Sequence, residues 1–65
     1  MFAASFINRD GKRVYYNKKT YFNACMVAMG ISEDYHAADV IDNETGEVVR
    51  RYEEGVLVYL AAGWE

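Results

Sequence analysis

Two stretches of alternating character open the chain, FAASFIN and KRVYY, joined through Arg9-Asp10-Gly11. Apolar–polar alternation on both sides of an Asp-Gly is the pattern of a β-hairpin. Two registers compete. A two-residue Asp-Gly loop sets Ile7 against Val14 and leaves Phe6 opposite Tyr15. A three-residue loop, with Gly11 left-handed as a G1 bulge, sets Phe6 against Val14 and Ala4 against Tyr16. The second gathers Phe2, Ala4, Phe6, Val14 and Tyr16 on one face, because strand faces alternate with period two, and it is preferred.

The period then changes. TYFNACMVAMG, residues 20–30, holds a single polar side chain, Asn23, between its threonine and its glycine. Thr20 is a fitting N-cap, with Asn17 an alternative start three residues earlier. Gly30 is the natural stop, and Ser32-Glu33-Asp34-Tyr35 adds one short turn behind Ser32, its acids suitably near an N-terminus. At 100° per residue Tyr21, Cys25, Ala28 and Met29 gather on one side, with Phe22 beside them. Met26 and Val27 project to the other side, flanking Asn23. A helix that is apolar nearly all round needs a second surface to cover it.

Alternation returns in AADVIDNETGEVVRRY. A loop of Glu44-Thr45-Gly46 pairs Ile41 with Val49, Val40 with Arg50 and Asp39 with Arg51, and aligns Ala38, Val40, Val48 and Tyr52. A four-residue loop would set Asp42 against Glu47, a like-charge pair. Glu53-Glu54-Gly55 turns the chain into VLVYL, which is rich in β-formers and short for a helix. The expectation is ββαβββ, an α+β domain in which an antiparallel sheet carries one main helix on one face. No linker, repeat or proline interrupts it, so residues 1–65 form a single domain.

Length sharpens the question of cover. A 65-residue chain sits near the lower limit for independent folding, where only about 60% of the unfolded surface is buried. One cysteine, Cys25, allows no internal disulfide, and one histidine with one cysteine does not make an ordinary zinc site. No cofactor is expected. Association remains as a source of stability: Phe22, Met26 and Val27 are the expected interface, in a symmetric homodimer or against a larger protein target. No apolar run approaches the length of a membrane span, and MFAASFI lacks the basic start of a signal peptide, so a cytoplasmic protein is expected.

Charge is unevenly placed. Residues 1–30 carry five basic side chains against Asp10 alone, whereas residues 31–65 carry two arginines against nine acids. The acidic half suits a basic surface on a partner. The basic half offers the alternative of a single-stranded nucleic acid, bound by Arg13, Tyr15, Lys18, Lys19 and Arg51. In the preferred registers Arg13 and Tyr15 share a sheet face with Ile41, Val49 and Arg51, and bases stack on such aromatics while arginines track phosphates.

Catalytic candidates are few. Cys25 stands mid-helix among apolar neighbours, the usual place of an inert core thiol. His36 has Asp34 and Asp39 near it in sequence but no nucleophile in any recognised arrangement. DNETGE lacks the glycine and the bidentate acid of a calcium loop. Asp39, Asp42, Glu44 and Glu47 are sent to different faces by strand pairing. No enzyme is expected.

The helix-to-hairpin stretch, residues 20–52 with Thr45-Gly46-Glu47-Val48-Val49 at its centre, resembles short accessory proteins of phages and mobile elements. That resemblance implies an accessory role, such as an anti-CRISPR-like inhibitor that occludes a surface of a host protein. It assigns no activity to any residue.

Overall fold

The computed structural model describes residues 1–64. Its elements are β1 (Phe2–Ile7), β2 (Arg13–Lys18), α1 (Tyr21–Tyr35), β3 (Ala37–Asp42), β4 (Glu47–Glu53) and β5 (Val56–Leu60). All five strands form one antiparallel sheet in the order β2-β1-β3-β4-β5, and α1 lies across one face. This is the expected α+β, ββαβββ arrangement.

The first hairpin adopts the three-residue loop. Phe6 faces Val14 and Ala4 faces Tyr16. The Asn8 amide donates to the Lys12 carbonyl at 2.8 Å, and Gly11 closes the turn at φ 82°. Asn8 also organises the loop from within, since its Oδ1 accepts from the amides of Asp10 and Lys12 at 2.9 and 3.0 Å. A side-chain acceptor of this kind mimics a backbone turn.

The second hairpin departs from expectation. Asp42 faces Glu47 and Ile41 faces Val48, so the loop has four residues, Asn43 to Gly46. The like-charge objection fails because the Asp42 carboxylate serves the loop: its Oδ1 accepts from the Glu44 amide at 2.9 Å. The Asp42 carbonyl takes the Gly46 amide at 2.7 Å, with Gly46 left-handed at φ 76°. A register shift between Val40 and Ile41 absorbs the extra residue, and beyond it Val40–Arg50 and Asp39–Arg51 pair as expected. The bulge changes which valine is interior. Val49 is fully buried in the core, whereas Val48 stands half-buried opposite Ile41.

The helix also corrects the sequence reading. Thr20 caps it, Oγ1 accepting from the Asn23 amide at 3.2 Å. Gly30 does not end it. The helix runs on to Tyr35 and stops at His36, whose φ of 75° takes the chain out of the α region. Continuation is favoured because Ile31 and Tyr35 pack against the core and Ser32 joins the helix to the β4–β5 turn. The Ser32 hydroxyl donates to the Met29 carbonyl at 2.7 Å and accepts from the Gly55 amide at 2.9 Å. Ser32 is therefore a buried tie inside the helix and does not cap a second turn.

The face turned to the sheet reads Tyr21, Ala24, Cys25, Ala28, Ile31, Ser32 and Tyr35, the i, i+3, i+4, i+7 spacing of one helical side. Its middle is small and its ends are aromatic. Ala24, Ala28 and Ser32 are fully buried, in the same core as Ala4, Val40 and Val49. At one end Tyr21 packs with Phe2 and Trp64 at centroid distances of 5.4 and 5.1 Å. At the other Phe6 meets Tyr35 at 4.8 Å and Tyr16 at 5.7 Å. Small residues let the helix approach closely, and aromatic pairs fix it at both ends. Val27, expected on the outward side, packs against this core, and Phe22, expected beside the sheet, is 70% exposed.

Candidate functional site

Strand pairing sets one row of side chains across the helix-free face of the sheet. Tyr15 pairs with Ser5, Ser5 with Asp39, Asp39 with Arg51, and Arg51 with Tyr59. Directly paired residues point to the same face, so the row runs from edge to edge with a tyrosine at each end. Arg13 reaches into it from β2, donating from Nη1 to the Ser5 hydroxyl at 3.2 Å and lying 3.5 Å from Asp39 Oδ2. Arg51 donates to Asp39 Oδ1 at 3.0 Å and, through Nε, to Glu53 at 3.1 Å.

Asp39 is the pivot of this network. Its side chain is 8% exposed, between two arginine side chains that are each about two-fifths exposed. A carboxylate so placed needs its partners, because an unpaired buried charge is costly. The hydrogen bond to Glu53, together with Asp39, raises the Arg51 pKa despite partial burial. The two arginines expected to face a ligand are thus already engaged within the chain.

Below the row lies a crevice of about 220 Å³ lined by Ser5, Ile7, Arg13, His36, Asp39 and Arg51 among others. It exists because β1 pairs with β3 only as far as Ser5 and Asp39, while both strands continue past that point. His36 at its rim lies 3.4 Å from the Glu54 carboxylate, with both side chains largely exposed. The Ser5 hydroxyl on its wall accepts from Arg13.

The remaining expected site residues are dispersed. Lys18 pairs with Phe2 and so belongs to the helix-bearing side, and Lys19 follows it in the connection to α1. Only Arg13, Tyr15 and Arg51 of the basic set share a face. Phe22 and Met26, one helical turn apart, are 70% and 49% exposed. Cys25 is buried, and no group of three His, Cys, Asp or Glu side chains among the described residues is placed to hold a metal ion. No described helix is long and apolar enough to cross a membrane.

Two features escaped the sequence reading. Ser5 completes the cross-strand row, but the β1–β3 contact that places it has no turn between its strands to announce it. Arg50 was read only as a pairing partner of Val40. It lies on the helix side, donating to the Tyr52 hydroxyl at 2.8 Å with its guanidinium over the Tyr21 ring at 5.8 Å. Its Nε is buried without a hydrogen-bond partner among the described residues. Comparison of the chain with protein-family models, with characterised proteins and with solved structures gave no match.

Proposed function

We propose that the protein is a non-catalytic binding module that docks on a larger protein and occludes part of its surface, in the manner of a small phage or mobile-element inhibitor. The observation that carries this reading is the outward side of α1, where Phe22 and Met26 stand one turn apart and exposed. The protein's own core is built largely from alanine, valine and serine. Two large apolar side chains left outside such a core are the kind of anchor that fills a partner's pocket. Glu33 and Asp34, exposed further along the same helix, add charge that suits a basic target.

The test is affinity capture from a bacterial lysate with the wild type and with a Phe22→Lys/Met26→Glu variant. The expected outcome is a discrete protein retained by the wild type and lost by the variant, with both proteins equally folded by circular dichroism. Identical retention by both contradicts this use of the helix.

A second reading, single-stranded nucleic-acid binding, draws support from Tyr15 and Tyr59 bracketing Arg13 and Arg51 on one face. It is the weaker because both guanidiniums already serve Asp39. On this reading a labelled oligonucleotide is shifted at low salt, the shift is lost in Arg13→Glu/Arg51→Glu, and Tyr15→Ala weakens it by about 1–3 kcal/mol per stacked base. A shift that survives the double charge reversal excludes it.

A further inference from the structure

The sheet has two edges, and they are built differently. The β2 edge begins with Arg13 and ends with Lys18, flanked by Lys12 and Lys19. Charged side chains of this kind discourage strand addition. The β5 edge, Val56-Leu57-Val58-Tyr59-Leu60, has neither charge nor proline. Four of its residues are among the exposed large hydrophobics: Val56 at 62%, Leu57 at 41%, Val58 at 50% and Tyr59 at 47%.

The helix explains that exposure. It packs over β1 and β3 and reaches β4 and β2, but leaves β5 essentially uncovered. Val56, Leu57, Val58 and Tyr59 therefore stay exposed, Leu60 is half-buried, and no described strand pairs with the outer edge of β5. The register shift between Arg51 and Tyr52 makes Val58 the extra residue. Such a bulge bends an edge strand, but here it adds no blocking side chain.

We infer that β5 is the self-association surface, and that it pairs antiparallel with β5 of a second copy about a twofold axis near Val58. Charge argues for this occupant. In that arrangement Val58 meets its own counterpart, Leu57 meets the partner's Tyr59, and Val56 meets the partner's Leu60. No charged residue opposes another. The Glu53-Glu54 turns fall at opposite ends of the joint ladder, more than roughly 20 Å apart at the usual rise per residue, beyond the screening length of about 8 Å at physiological salt. Each acidic turn then lies beside the uncharged Ala61-Ala62-Gly63 of the other copy. For a chain of net charge −3, this is the edge that brings two copies together without bringing their acids together. The β2 edge would oppose lysine and arginine instead. This surface is separate from the outer side of α1, so either assignment can fail alone.

The experiment is light-scattering mass from micromolar to millimolar concentration on three proteins: wild type, Val58→Lys and Phe22→Lys/Met26→Glu. The wild type should reach twice the 7.4 kDa chain mass and stop there. Val58→Lys should stay at the single-chain mass with unchanged circular dichroism, and the helix variant should still dimerise. Val56→Lys, at the more exposed end of the strand, serves the same purpose if Val58→Lys does not fold. A wild type that remains monomeric overturns the inference. So does a dimer that survives a folded β5 variant, or a mass that grows beyond two chains.

Discussion

Two phenols show how a single residue feels this fold. Tyr52 and Tyr21 have pKa values raised above the ordinary 10.0, first by burial and then by the neighbouring Cys25, with the Arg50 guanidinium working in the opposite direction. A phenol whose folded pKa is raised favours the folded state while neutral. That contribution is whole below pH 10, where the unfolded chain is also neutral, and is lost as pH rises through the folded values. Unfolding free energy should therefore fall above pH 10. Phenolate absorbance of the native protein, compared with Tyr21→Phe and Tyr52→Phe variants, should show these two groups ionising late, whereas their ionisation at the ordinary value would contradict their burial. The same scale shows what a sequence hides. Gly11 was legible as a left-handed residue because the three-residue turn demands it. Asp42 was misjudged because pairing charges were counted without asking what else the carboxylate could bind.

At the scale of elements, the clearest misreading is Gly30. Glycine just past an apolar helical run ordinarily marks a C-terminus. Here, burial of Ile31, Ser32 and Tyr35 on the far side of it outweighs a local preference of about 1 kcal/mol. Gly30 is exposed, helical, and would place a Cβ in open space. Gly30→Ala should therefore stabilise the protein by about 0.5–1 kcal/mol, measured as a shift of the denaturant midpoint at constant slope. A destabilised variant would mean that the helix is broken at this position. Strand identities, the first hairpin's register and the N-cap were all readable because each is decided within a few residues. The β1–β3 pairing and the row from Tyr15 to Tyr59 depend on contacts between distant segments, while the bulge that places Val49 inside follows from the loop length of its own hairpin, and periodicity alone carries none of them. Of the candidate site, the Asp39–Arg51 pair and the coincidence of Arg13, Tyr15 and Arg51 on one face were recovered from sequence. The lysines were grouped with them by charge, and strand pairing separates them.

At the scale of the whole molecule, one helix is too little to cover a five-stranded sheet. Its small-residue face seats it over β1 and β3, and aromatic clusters at both ends hold it there. Among the described residues, six of the eleven buried hydrophobic ones are alanines, so the interior supplies modest apolar area. Much of the chain's large apolar surface stands outside, on the outer side of α1 and along β5. A domain of this size gains stability from anything that binds only its folded form, which links the exposed residues to association more directly than to chemistry. The measurement that bears most directly on this is hydrogen exchange of the β5 amides, Val56 to Leu60, in dilute and concentrated solution. The expected result is protection that rises with concentration along β5 and stays constant along β2. Fast exchange along β5 at every concentration would show that the edge remains open, and would contradict association through it.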